Sequence, residues 1–196
     1  MAITFGNSSS AGGSTPSFNN NGDFLVILIS SVASGVSAVT YNGVAMTQIG
    51  TETNISSRYQ TFWGLVNPAQ GTNSFAITGG SSEDNRIQSI SGVNQTTPYT
   101  NVTLNTGNSA AASLTLTTTA NSYIFGVVNS NNDETAGTDT TEVYGDFIAF
   151  MRSTNLVDTA SGTINATQTS TPWAFKGFSL NPPVITHNLT LLGVGT

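Results

Sequence analysis

Six consecutive apolar residues, Phe24-Leu25-Val26-Ile27-Leu28-Ile29, form the longest apolar run of the 196-residue sequence. The run is much shorter than the roughly 18 residues of a membrane-spanning helix, and it is rich in residues that strands favour. It also lacks the alternation of apolar and polar residues that a strand with one solvated face shows. We therefore predict a central strand that is buried on both faces.

Shorter segments of the same kind follow one another along the chain. Each is rich in Val, Ile, Thr, Phe or Tyr, and clusters of Gly, Asn, Ser and Pro separate them. The pair Asn42-Gly43 suits a two-residue type I′ turn and predicts a β-hairpin. Leu114-Thr115-Leu116-Thr117 predicts a half-buried strand with a solvated hydroxyl face. The predicted strands are residues 2–5, 24–31, 36–41, 44–49, 58–66, 72–78, 87–92, 102–104, 112–118, 122–128, 140–151, 162–169 and 174–180.

This pattern predicts an all-β protein. No window has helical periodicity, so we expect no more than a turn or two of helix. More than ten short strands with short connections predict a single antiparallel β-sandwich or jelly-roll-like domain over residues 1–183. Two polar stretches, 7–23 and 129–139, are predicted to be long loops. Residues 184–196 follow Pro182-Pro183, which cannot donate to a strand ladder, and are predicted to form a C-terminal extension.

The composition excludes several classes of function. Thr, Ser and Asn contribute 31, 24 and 21 residues, whereas charged residues make up only 7% and the net charge is −6. Four basic residues cannot supply the surface that nucleic-acid binding requires, and no apolar run could cross a membrane as a helix. The absence of Cys excludes disulfides, and the single histidine, His187, excludes a site built from paired histidines in one chain. We predict no cofactor, no metal, no nucleic-acid partner and no membrane partner.

The first residues, Met1-Ala2-Ile3-Thr4-Phe5, have neither the basic start nor the apolar core of a secretory signal peptide. The Thr-, Ser- and Asn-rich, Lys-poor composition is nevertheless typical of proteins that work outside cells. Together these features predict a virion component that is made in the host cytoplasm and released by lysis. The alternative is an extracellular or cell-surface domain of a longer secreted protein.

Four segments of the chain resemble a β-sandwich domain that is common in phage virion proteins and bacterial surface proteins. Residues 36–46 (VSAVTYNGVAM) are similar to its hairpin "vtsVtynGvaLt", and residues 62–72 (FWGLVNPAQGT) to "lWyLvnPpaGt". Residues 89–98 (SISGVNQTTP) are similar to "sfsGvdqttP", and residues 173–182 (WAFKGFSLNP) to its closing strand "dWavaavslkP". The resemblance extends from about Ala2 to Pro182. It implies a module of a virion surface or cell exterior, without shared catalytic residues.

The sequence contains no arrangement that predicts catalysis. A glycosidase needs two carboxylates roughly 5 to 10 Å apart, and most of the acidic residues lie in predicted loops, where a solvated carboxylate is the ordinary case. His187 lies in the C-terminal extension and no G-x-S-x-G motif accompanies it. We therefore predict no catalytic residue and no enzyme. The carboxylates considered are Glu52, Glu83, Asp84, Glu134, Asp139, Glu142, Asp146 and Asp158.

Two further features allow a binding role and an ordinary structural one. The stretch from Asn129 to Glu134 offers side-chain oxygens as calcium loops do, but it lacks their central Gly, so we predict a polar surface loop. Trp63 and Trp173 could form a platform for stacking sugar rings. Each lies within an apolar segment, so we predict that both pack in the core.

These observations predict a non-enzymatic structural protein on the exterior of a phage virion: a capsid decoration or cement protein, a head fibre or a tail component. Its partners would be copies of itself and other virion proteins. The alternative is a carbohydrate-binding module that attaches to a glycan of the host or cell surface. An exposed cluster of aromatic side chains would favour the alternative, and burial of both tryptophans would weaken it.

The C-terminal extension is the predicted contact for assembly. It is apolar although the predicted domain does not need it, and residues 186–191 have the character of a strand that could pair with a sheet edge of a neighbour. Folding back onto its own domain is the alternative. The candidate assembly contacts are Val184, Ile185, Leu189, Leu191, Leu192 and Val194.

Overall fold

The computed structural model describes residues 2–55, 58–81, 84–130, 134–144, 148–157 and 160–184. In this part of the chain every regular element is a β-strand, the paired strands are antiparallel and no helix is found. The strands form three sheets that pack together. The prediction of an all-β antiparallel sandwich is confirmed.

A central sheet of five strands contains the apolar run. All eight residues of its middle strand are buried, which confirms the predicted central strand. Two neighbours contribute mostly buried residues as well, because the sheet is covered on both sides. In spatial order its strands are β1 (Thr4–Gly12), β9 (Asp84–Ser91), β3 (Phe24–Ser31), β7 (Arg58–Val66) and β6 (Thr47–Ile55).

A small sheet covers one face of the central sheet. Asn42 and Gly43 have φ values of 50° and 75°, so the predicted type I′ turn is confirmed between Tyr41 and Val44, which pair across it. Its four strands, in spatial order, are β2 (Ser17–Asn20), β8 (Gly71–Thr78), β4 (Ala38–Tyr41) and β5 (Val44–Ala45).

A C-terminal sheet covers the other face. Its two longest strands pair along nearly their whole length, with irregular register near Ser109, and this ribbon folds over its own sheet to form a nearly closed barrel. Leu114 and Leu116 are buried whereas Thr115 and Thr117 are exposed, as the alternation predicted. In spatial order the strands are β10 (Tyr99–Thr117), β15 (Ser161–Leu180), β11 (Tyr123–Asn129), β14 (Ile148–Ser153) and β13 (Thr140–Tyr144), and β12 (Thr135–Ala136) also pairs with β15.

Alternation along β3 divides the interior into separate hydrophobic clusters. Phe24, Val26 and Leu28 pack toward the C-terminal sheet, and the residues between them pack toward the small sheet. A third cluster, which includes Trp173, fills the space beneath the folded ribbon of the C-terminal sheet. The sandwich thus has three layers, with the central sheet in the middle.

Several predicted boundaries are wrong. Residues 7–23 are not one loop: β1 continues to Gly12 and β2 follows, because backbone pairing with β9 and β8 holds these Ser- and Asn-rich segments in strands. Likewise 102–104 and 112–118 are parts of β10, and 162–169 and 174–180 are parts of β15. Residues 140–151 contain two antiparallel strands, β13 and β14, rather than one.

Candidate functional site

The open side of the sandwich carries a groove of about 510 Å³ between the central sheet and the C-terminal sheet. One wall comes from the end of β7, with Ala45 of β5 and Thr47 of β6 beside it, and the other from the loop that enters β10. This groove is called the edge groove below. Its lining residues are Phe24, Ala45, Thr47, Gly64, Leu65, Val66, Gln95, Thr96, Thr97, Pro98 and Tyr99.

The floor of the edge groove depends on a glycine. A Cβ atom at Gly64 would lie 2.9 Å from the Phe24 ring and 3.0 Å from Ile49, so a larger residue would displace the ring. The bare backbone at Gly64 lets Phe24 reach the floor, where its ring centroid lies 6.5 Å from that of Tyr99. The floor is therefore aromatic and apolar.

Hydrogen bonds fix the loop that forms the outer wall, residues 92–98. The Asn94 side chain accepts hydrogen bonds from the backbone N–H groups of Thr96 and Thr97, at 2.9 and 3.0 Å. The Gln95 side chain spans the loop, donating to the Val93 carbonyl and accepting from the N–H of Asn67. The wall is thus held in place before any partner arrives.

A second groove, of about 490 Å³, lies on the other side of this loop. It is lined by residues 93–97 together with Pro183 and Val184. Asn181 ties the end of β15 to the loop: its N–H donates to the Pro98 carbonyl at 3.0 Å and its side-chain amide to the Thr97 carbonyl at 2.8 Å. The C-terminal segment therefore leaves the sandwich beside the edge groove, on the far side of one loop.

Val184 is the one predicted assembly contact within the described residues, and 74% of its surface is exposed. The other five, Ile185, Leu189, Leu191, Leu192 and Val194, lie outside the described residues, as does His187.

Below the edge groove, the gap between the two sheets is closed by a lysine. Lys176 of β15 is only 3% exposed, and its ammonium group donates a hydrogen bond to the Thr51 carbonyl at an irregularity of β6. Burial lowers its pKa to about 8, and the nearby Glu52 carboxylate opposes that shift. Sequence reasoning did not single out this residue, although a lysine within an apolar strand segment is the signal that could have found it.

A row of polar side chains lies buried on the face of the central sheet that packs against the C-terminal sheet. Ser30 and Gln60 face each other across β3 and β7, and both are at most 1% exposed. Among the described residues, neither the Ser30 hydroxyl nor either amide atom of Gln60 has a hydrogen-bond partner. Arg86, 4% exposed, pairs with Asp84 through one nitrogen, while its Nε has no partner in the same part of the chain. Strand alternation alone does not reveal these residues, because polar side chains at such positions predict a solvated face.

The described candidate carboxylates have different surroundings. Glu52 accepts a hydrogen bond from the N–H of Gly35 at 3.0 Å, and Asp84 pairs with Arg86. Glu142 is exposed on β13, and Asp139 lines a third groove, of about 330 Å³. Neither groove beside the loop 92–98 is lined by a carboxylate. Glu83, Asp146 and Asp158 lie outside the described residues.

The predicted surface loop at residues 129–134 is wrong at both of its described ends. Asn129, Ser130 and Glu134 are 3%, 2% and 4% exposed: Asn129 is the last residue of β11, Ser130 follows it directly, and Glu134 immediately precedes β12. The remaining three residues are outside the described part. Within the part that the structure describes, no three His, Asp or Glu side chains group as metal ligands would.

Both tryptophans pack in the core, as predicted. Trp63 is 5% exposed and its indole N–H donates to the Thr61 hydroxyl at 3.0 Å. Trp173 is 6% exposed and donates to the Ser109 hydroxyl at 3.4 Å. A sugar-stacking platform built on these two residues is therefore ruled out.

Comparisons with known proteins gave no match: a scan against family models, a search of curated proteins and a search of solved structures were all negative. Among the described residues, no helix has the length and hydrophobicity to cross a bilayer.

Proposed function

We propose that this chain is a non-enzymatic structural protein on the exterior of a phage virion, where it contacts copies of itself and other virion proteins. The observation that carries the proposal is the chemistry of the two grooves beside the loop 92–98. Their walls are apolar, hydroxyl and amide groups, and among the described residues that line them Tyr99 is the single titratable side chain. Such walls suit the packing of a polypeptide, whereas acid–base chemistry needs titratable groups with tuned pKa values.

Three further features support this role. The outward faces of β1, β8 and β10 carry Ser, Thr and Asn, and these uncharged groups tolerate an extracellular environment. Basic side chains are drawn inward, since Arg86 and Lys176 are buried and Arg152 lies 4.2 Å from the centre of the Phe5 ring. The four segments that resemble virion and surface modules form parts of the sandwich itself.

Localisation on the particle tests the proposal. Particles purified on a density gradient from lysed cultures that produce the protein should carry it, and gold-labelled antibody against it should decorate their outside. Preimmune serum is the control. Recovery of the protein only from the soluble fraction, with undecorated particles, would contradict the proposal.

A carbohydrate-binding module is the second candidate. Burial of Trp63 and Trp173 removes the aromatic platform considered for it, so among the described residues sugar stacking would use another aromatic side chain, such as Tyr99 in the edge groove. A glycan array probed with the wild type and with Tyr99→Ala distinguishes the two. Specific glycan binding that Tyr99→Ala weakens would favour this candidate over the virion role.

A further inference from the structure

The edge groove has the construction of a site for an added strand. In the spatial order of the described strands, β6 ends the central sheet and β10 ends the C-terminal sheet. β6 pairs with β7 on one side, as at Thr47 and Gly64, and its other side has no strand partner in the described part of the chain. An extended segment could therefore hydrogen-bond to this edge while its side chains enter the groove, the mode known as β-augmentation.

The sequence supplies a segment with the matching pattern. In Ile185-Thr186-His187-Asn188-Leu189-Thr190-Leu191, one face of a strand carries Ile185, His187, Leu189 and Leu191, and the other carries Thr and Asn. The segment has no acidic or basic residue except His187, and the groove that would receive it has no charged lining residue. Apolar side chains on one face suit the apolar floor at Phe24, and polar ones on the other can meet solvent.

The exit of the chain favours entry from another molecule. Pro182 and Pro183 restrict the backbone to extended conformations, and Val184 is 74% exposed, so the chain points into solvent at that residue. To reach its own edge groove it would have to turn back over the loop 92–98. Twelve further residues of the sequence can extend to about 40 Å, enough to reach a neighbouring copy.

We infer that residues 185–191 of one copy insert as a strand along β6 in the edge groove of a second copy. The inference rests on the proposed function in one respect, namely that copies meet at high density on a particle. Because the donated strand and the receiving groove are different surfaces, two copies can exchange strands reciprocally to form a closed dimer, or successive copies can join head-to-tail in rings or chains.

Association in solution tests the inference with paired variants. Sedimentation of the wild type at increasing concentration should show oligomers. A double variant that combines Leu189→Asp and Leu191→Asp should associate at least tenfold more weakly. Thr190→Asp adds the same type of charge on the opposite face and should weaken it much less. If Thr190→Asp weakens association as much as the leucine substitutions do, or if the wild type is monomeric at every concentration, the inference is overturned.

The receiving groove is tested with its own pair of variants. Ala45 lines the edge groove and is exposed, so Ala45→Trp should fill it and weaken association to a similar extent. Val44 immediately precedes Ala45 in the same strand, and its side chain points to the opposite face, so Val44→Trp is the matched control. Association that Ala45→Trp leaves unchanged would count against the groove as the receiving site.

Cysteine cross-linking separates the two sources of the strand, and the sequence has no native Cys to interfere. Thr47→Cys chains mixed with Leu189→Cys or Leu191→Cys chains should form a disulfide-linked heterodimer under mild oxidation. A further variant carries both cysteines, at positions 47 and 189 or 191, in one chain. If a disulfide forms only within that chain, or if none forms at all, the inference is overturned. Those results would leave the particle-labelling experiment to judge the virion role separately.

Discussion

The interface between the central sheet and the C-terminal sheet has two unlike halves. Toward the edge groove it is aromatic: the Phe178 ring lies 5.4 Å from Phe62, 5.7 Å from Tyr99 and 5.8 Å from Phe125, measured between ring centroids. Toward the far end, Ser30 and Gln60 take the corresponding positions of β3 and β7. Phe62, Phe125, Phe178, Ser30 and Gln60 are all at most 1% exposed, so these parts of the two halves differ in chemistry and not in burial.

The comparison teaches that the two halves affect stability in opposite ways. Packed aromatic rings gain free energy from burial and from favourable edge contacts. Buried polar atoms without partners cost free energy, typically about 1–3 kcal/mol for each group. We expect substitutions in the aromatic half to destabilise the fold and some substitutions in the polar half to stabilise it.

Phe178→Ala should produce the largest effect. The side chain is fully buried, and its loss should lower the free energy of unfolding by about 3–5 kcal/mol, through lost burial and the cavity left behind. Urea unfolding followed by tryptophan fluorescence measures the change. Leu104→Ala on β10, where Leu104 is 45% exposed, is the control and should change stability by less than about 1 kcal/mol. Similar losses for both variants would show that the aromatic half does not hold the sheets together.

Two buried glutamines give the next comparison. Gln60 has no partner for either amide atom among the described residues, whereas the Gln88 amide donates to the carbonyls of Gly6, Asn7 and Ser89 at 2.8–3.1 Å. Gln60→Leu should raise the free energy of unfolding by about 1–2 kcal/mol, since it removes unpaired polar atoms. Gln88→Leu should lower it by about 1–3 kcal/mol, because three backbone carbonyls lose a donor. Changes of the same sign in both variants would refute the contrast.

The sequence could predict those strands that are buried because their own side chains are apolar. β3 and β7 were predicted to the residue, since an apolar run carries its own signal. The extent of β1 could not be predicted, because Asn7-Ser8-Ser9-Ser10 becomes a strand only through pairing with β9. The edge groove and the Ser30–Gln60 row could not be predicted either. Both depend on how two sheets face each other, and residues distant in sequence form each of them.

The last expected effect is a change of folding stability with pH that comes from Lys176. The burial of this lysine sets the sign of that change. In the folded protein the pKa of Lys176 is lowered to about 8 from its ordinary value of 10.5, chiefly by desolvation. Between these two values the unfolded chain binds more protons than the folded chain, so stability should rise with pH from about 8. The slope from this one group is at most about 1.4 kcal/mol per pH unit.

Unfolding in urea at several pH values between 7 and 9.5 measures that slope, and Lys176→Met is the control that removes it. The window stops at 9.5 because burial raises the pKa of Tyr99, which makes stability fall again above pH 10. Lys176→Met also loses the hydrogen bond to the Thr51 carbonyl but no longer buries a charge, so its stability at pH 7 should change little. A wild-type curve that does not rise between pH 8 and 9.5, or one that Lys176→Met reproduces, would show that this lysine keeps its proton in the folded protein.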